Sequence, residues 1–399
     1  MRAETKTPRP TMACGKRVLC WCGHPGETMQ VRDVSVIPVT VPIRSREEPY
    51  GLAPYVSNHD EVTERDRVLI RLETTNGEVG WGEMLAAMAS PEATVAVLEE
   101  VVVPELLGQS LEEIVPFVES FYHPYVTIDP FLGAVETAMW DALGHELGTS
   151  VSTLFGGADR DEVPVAYCVG ILDAEESAEE AAFAHEAGFT ALKTKAGHDW
   201  RQDVDRLVAM DEATNGSLDL RIDPNQGWSF EETVRVGRRL EDADVSLQYL
   251  EQPVRVDTFG SYAKLRERLR TPIAVNEDTY YRHNLTHLVG EDAIDVALVD
   301  LVPAGGIART KEQVAVARDA GVSVSHHCGF DLGIKTAAML HTVATTPGFD
   351  IAPDSVYYGW ESDVLDPELE FSEGSLRVPE GPGLGIEVDE AAVEAYRTD

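Results

Sequence analysis

The chain has 399 residues, with 70 Asp plus Glu against 32 Lys plus Arg, a formal net charge of −38. Such a field repels nucleic acid and anionic membranes, while a hydrophobic fraction of 43% excludes a disordered acidic chain. The length holds one large core and a smaller companion, and no run of 18 apolar residues is present to span a bilayer.

Only seven basic residues are lysine, so 25 are arginine. An acid-rich, lysine-poor surface predicts a halophilic protein of a high-salt cytoplasm, and the first residues lack the pattern of a secretion signal. Residues 1–28 read as an N-terminal extension, disordered or preceding the true start at Met29. Cys14, Cys20 and Cys22 crowd into it with His24, but their spacing matches no zinc pattern. Cys168 and Cys328 stand far apart in apolar contexts, and no disulfide framework follows.

From Val31 the chain reads as a small α+β unit over residues 29–150. Val34-Ser-Val-Ile-Pro-Val-Thr-Val alternates as a strand does. Val68-Leu-Ile-Arg-Leu-Glu and Val79-Gly-Trp-Gly-Glu flank the turn Thr75-Asn-Gly as a hairpin. Between them Pro42 to Glu64 is long and polar, the mark of a lid. Arg44, Arg46, Tyr50, Tyr55, Asn58 and His59 are its expected substrate-facing groups. Helical patterns then continue to about Gly148.

From Val163 short β-rich runs alternate with helical ones. Polar residues recur at the expected strand ends: Lys195, Asp223, Glu251, Glu277, Asp300, His327 and Asp354, at steps of 28, 28, 26, 23, 27 and 27 residues. Each step holds one strand and one helix, which predicts parallel strands closing into a barrel over residues 151–360, with functional groups at its C-terminal mouth.

Lys193 and Lys195, two apart on a strand, point to the same side. Like-charge proximity is expected to lower a lysine pKa toward neutrality, as a general base needs. Asp223 and Glu251 each end a strand and are followed closely by proline. Facing acids repel unless a cation neutralises them, and an all-oxygen site suits Mg²⁺. For the third ligand, strand parity favours Asn276 and charge favours Glu277, which is the preferred assignment. Asp300 is the only charge within an apolar strand and needs a partner. Alternation in Val322-Ser-Val-Ser-His-His turns His327 inward to provide one, with His326 directed toward the helices.

In this order Lys193-Thr-Lys195, Asp223-Pro-Asn225, Glu251-Gln-Pro253, Asn276-Glu277, Asp300 with Gly305-Gly306, and His327 resemble the enolase superfamily, and within it the mandelate racemase subgroup. The likeness runs from about Met29 to Glu387, taking in Gly133-Ala-Val-Glu-Thr-Ala-Met-Trp-Asp-Ala-Leu and Gly381-Pro-Gly-Leu-Gly. It implies an α/β fold, a (β/α)₇β TIM-like barrel under an α+β capping domain, the cap being completed by residues of about 360–399. It also implies Mg²⁺ on Asp223, Glu251 and Glu277, an enediolate intermediate, Lys195 and His327 as opposed acid–base groups supported by Lys193 and Asp300, and a homo-oligomer between dimer and octamer. Asn225, Tyr55 and Asp354 are the expected substrate-binding residues.

The muconate-lactonizing branch usually carries lysine where Asp300 stands, which argues against that branch. Leu332-Gly-Ile and Asp354 resemble the glucarate dehydratase branch, where asparagine is the third ligand and the histidine falls at the place of Asp331. The polar lid favours dehydration of a small sugar carboxylate. A racemase, epimerase or cycloisomerase of a hydroxy or amino acid is the rival, and an inactive barrel used as a binding module is the alternative of another class.

Overall fold

The computed structural model describes residues 29–86, 90–121 and 126–398; Cys14, Cys20, Cys22 and His24 lie outside them. Strand β1 (Val31–Pro42) pairs antiparallel with β2 (Glu64–Thr74), in a register that sets Val36 opposite Ile70, and β2 pairs with β3 (Val79–Leu85). The β2–β3 turn needs Gly77, whose φ is +93°. Helix α1 (Asp129–Leu147) covers this sheet. It sits so close that a Cβ on Gly82 would stand 2.0 Å from the carbonyl oxygen of Ala134. The C-terminal helix (Glu390–Tyr396) packs on β1, and the amide of Thr398 bonds to Pro38.

Seven parallel strands follow: β4 (Tyr167–Val169), β5 (Ala191–Lys195), β6 (Asp219–Asp223), β7 (Leu247–Glu251), β8 (Ile273–Val275), β9 (Val296–Val299) and β10 (Ser323–His326), neighbours in sequence order throughout. Residues 349–354 close the curled sheet as an eighth, irregular strand. Val324 bridges to Phe349 on one edge, and Ala166 bridges to Asp354 on the other. Tyr249, Ala274, Val296 and Leu298 form a small apolar cluster separate from the main core. Helices cover the sheet's outside, and two of them, starting after Asp173 and Ser229, begin with reciprocal capping boxes to Glu176 and Glu232. Among the described residues no helix is long and apolar enough to cross a membrane.

The long loop between β1 and β2 folds back on the barrel. Its tip forms a two-residue ladder, Tyr55–Val56 against Glu61–Val62. The amide of Ile171, just beyond β4, bonds to the carbonyl of Val56.

Candidate active site

Strand β5 ends at Lys195, β6 at Asp223 and β7 at Glu251; Glu277 lies two residues past β8, while Asp300 and His327 lie one residue past β9 and β10. The acids Asp223, Glu251 and Glu277 therefore come from the third, fourth and fifth strands of the barrel. Lys195 comes from the second and His327 from the seventh. Lys195 and His327 line one cavity of about 260 Å³ together with Lys193, Asn225, Tyr55 and Asp354.

On the lysine side, Nζ of Lys193 lies 2.7 Å from Glu251, 2.9 Å from Asp354 and 3.3 Å from Asp223. Nζ of Lys195 donates to Asp223 at 2.5 Å and to Oδ1 of Asn225 at 2.8 Å. Asn225 adopts φ +44°, which returns its amide to Oδ1 of Asp223 at 2.9 Å. Burial by itself would raise the Asp223 carboxyl, but the Lys195 and Lys193 ammonium groups hold it well below the usual carboxylate range. Glu251 and Glu277 are pushed upward, first by burial and then by repulsion from Asp223.

The expected lowering of a lysine pKa is corrected here for Lys193. Burial does favour its neutral form, but Asp354, Glu251 and Asp223 outweigh burial and raise it. Sequence reasoning weighed one lysine against the other and did not count the acids that the barrel brings to both.

The two candidates for the third ligand are placed differently. Asn276 is buried with its amide donating to the carbonyl of Leu298 at 3.3 Å and its Oδ1 accepting from the Tyr280 hydroxyl at 2.8 Å. Glu277 turns toward the lysine side, where its Oε1 accepts from Gln226 at 3.2 Å and from Asn225 at 3.4 Å. Its Oε2 is buried with no hydrogen-bond partner among the described residues. Among those residues no group of three His, Cys, Asp or Glu side chains is already drawn together to hold an ion, because lysine ammonium groups bridge the carboxylates. The donor set is nonetheless all oxygen and carries an unpartnered buried carboxylate oxygen, which fits a hard divalent cation.

On the other flank, Nδ1 of His327 faces Oδ2 of Asp300 at 3.1 Å and the Tyr280 hydroxyl at 3.3 Å. Asp300 is held far below the usual carboxylate range because Lys335 and His327 outweigh its burial. His326 is fully buried. Its Nε2 accepts from the amide of Leu301 at 3.2 Å, and its Nδ1 lies 2.7 Å from the carbonyl oxygen of His327. Burial presses its pKa down to about 4.

The lid is only partly what its composition suggested. Tyr55 and His59 line the cavity, with Asn58 close by against Gly197 and Gly227. Arg44 instead donates to the carbonyl of Tyr358, Arg46 pairs with Glu176 at 3.4 Å, and Tyr50 packs on Phe183, Tyr358 and Phe371. These three fasten the loop to the barrel, and Leu85, Phe330 and Val356 give the cavity an apolar wall. Cys168 and Cys328, distant in sequence, line the same cavity.

Sequence reasoning passed over Arg221 and Lys335. Arg221 donates to Asp354 at 2.9 Å, and the parity it shares with Asp223 was a usable signal. Lys335 donates to Asp300 at 2.9 Å, and a lysine inside an apolar helical run was the other.

Residues 175–392 match the family model described as enolase C-terminal domain-like, and residues 40–156 match that of the mandelate racemase / muconate lactonizing enzyme N-terminal domain. Muconate cycloisomerase 1 of Rhodococcus opacus is 29% identical over 346 residues, covering 84% of this chain and 92% of that protein. Arabinonate dehydratase of Saccharolobus solfataricus is 27% identical over 340 residues, covering 83% and 90%. The crystal structure of an isomerase from Streptomyces coelicolor A3(2) superposes with a TM-score of 0.79 at 33% identity, covering 92% of this chain and 99% of that one.

Proposed function

This chain belongs to the mandelate racemase / muconate lactonizing enzyme family of the enolase superfamily, and from that premise we propose that it removes the proton α to the carboxylate of a small acid and eliminates water from a sugar acid. The observation that carries the proposal is the order around the barrel mouth: three carboxylates on adjacent strands, flanked by Lys195 and by His327, with those two flanking groups lining one small cavity.

The charges support a metal-assisted reaction on an anion. Four carboxylates, Asp223, Glu251, Glu277 and Asp354, face three basic side chains, Lys193, Lys195 and Arg221. A divalent cation and a substrate carboxylate together would bring that group to neutrality. Asp223, Glu251 and Glu277 would hold the ion. When bound, Mg²⁺ supplies the positive charge that makes the neighbouring C–H acidic enough for a side-chain base.

Lys195 is the group for the α-proton, its Nζ oriented by Asp223 and Asn225. Lys193, deeper in the barrel, offsets the charge of Asp223, Glu251 and Asp354. With Nδ1 of His327 directed at Asp300, Nε2 is left to protonate a departing β-hydroxyl. Ser57, His59 and Arg65 at the rim offer donors for further hydroxyls.

A second reading, racemisation or cycloisomerisation, is favoured by the apolar wall of Leu85, Phe330 and Val356 and by the isomerases among its relatives. Proton NMR of acid sugars and N-acyl amino acids with Mg²⁺ in deuterated water separates the two. Loss of water to a 2-keto-3-deoxy acid supports dehydration, and α-deuteration without loss of water supports isomerisation. Absence of both, with no Mg²⁺ binding by calorimetry, would leave the barrel as a binding module.

A further inference from the structure

Behind His327 a file of buried charges leads out of the barrel into the cap. Oδ2 of Asp300, which faces the imidazole, also accepts from Nζ of Lys335 at 2.9 Å. Lys335 donates equally to Oδ1 of Asp331 at 2.9 Å, Arg67 donates to the same oxygen at 3.1 Å, and Arg67 donates to Oε1 of Glu83 at 2.8 Å. None of these five residues is more than 3% exposed. Arg67 lies on β2 and Glu83 on β3, so the far end of the file belongs to the cap hairpin. Glu83 also accepts from the amides of Leu332 and Lys335, both at 2.8 Å, and so holds the start of the helix Gly333–Ala344 that carries Lys335.

The signs alternate along the file. Three carboxylates and two cations leave one net negative charge, which a protonated His327 cancels. One oxygen of Asp300 therefore serves two cationic partners, of which only Lys335 is permanently charged.

We propose that Lys335 is a positioning residue for His327, fixing the Asp300 carboxylate against Nδ1 and sharing its charge, and that the cap reaches the same histidine through Arg67 and Glu83. This rests on the reading of His327 as an acid–base group. A carboxylate devoted to one imidazole raises its proton affinity; one already paired with an ammonium raises it less. The other groups around His327 are the Tyr280 hydroxyl, after β8, the Asp354 carboxylate on the eighth strand, the neighbouring His326, and, lining the same cavity, Lys193, Lys195, His59, Asp60, Arg65 and Cys328. None of these groups bonds to Asp300 in place of Lys335 among the described residues.

The test follows His327 directly and needs no substrate. Two-bond proton–nitrogen spectra of the full chain labelled at histidine, with His327→Asn for assignment, give its tautomer and titration. Lys335→Met should raise the proton affinity of His327 about tenfold, and Lys335→Arg should leave it near wild type. Should Lys335→Met fail to fold, Lys335→Met/Asp331→Asn removes both members of one ion pair and should show the same rise. A His327 titration identical in the wild type and that double variant overturns the proposal. A shifted titration in a chain that neither exchanges the α-proton nor eliminates water from the acids tested would defeat the proposed reaction and leave the coupling standing.

Discussion

The two flanks of the barrel mouth solve the same electrostatic problem in different ways. On the lysine side four carboxylates share three basic side chains, Lys193 touching three of them, and of the four Asp354 lines the cavity. On the histidine side acids and bases alternate in single file, and the carboxylate at its end faces the imidazole. Ligand charge can neutralise the first. A proton neutralises the second. The comparison teaches that buried ion pairs at a functional mouth need to be counted as groups, because the sign of the remainder says what each group awaits.

The largest effect should come from unbalancing the lysine side at its centre. Glu251→Gln is expected to reduce Mg²⁺ affinity in calorimetry by more than the roughly 10- to 100-fold that outer partners of a metal site cost, and to take turnover to background with the fold intact by circular dichroism. Unchanged Mg²⁺ binding would remove Glu251 from the ligand set.

Next in size, Lys193→Met leaves Asp223, Glu251 and Asp354 without their shared ammonium. Breaking such a buried group costs about 3–5 kcal/mol, to be read from urea unfolding. Added Mg²⁺ should restore more stability to this variant than to the wild type; equal stabilisation of both would break the link between surplus charge and metal.

The smallest effect contrasts the two adjacent histidines. His326 has its pKa lowered to about 4 by burial, and both ring nitrogens serve a neutral tautomer. A depressed histidine contributes stability that is fully present above its unfolded pKa of about 6.5 and is lost as pH falls toward the folded value. Between pH 6.5 and 4 the wild type should lose about 3 kcal/mol more than His326→Gln. Parallel stability curves for the two proteins would show that this histidine is not the titrating group.

Most of the barrel was legible because strand and helix each impose a period, and strand-end polar residues 23 to 28 apart mark the repeats. Parity along a strand also placed Lys193 with Lys195 and set His327 apart from His326. The lid was legible only as a loop. Its composition could not say that Arg46 would turn outward to Glu176 while Tyr55 turned in, since a loop has no period to divide its faces.

By itself the sequence determined the alternation of elements, the acids that end the strands, and the family, because those are local patterns that survive without knowledge of neighbours. Tertiary structure alone decided which charges meet. It set Lys193 among acids drawn from three other strands and reversed its expected shift, turned Glu277 rather than Asn276 toward those acids, and joined Arg67 to Asp331, 264 residues away. Coulomb energy depends on distance in space and on burial, and neither is a property of position along the chain.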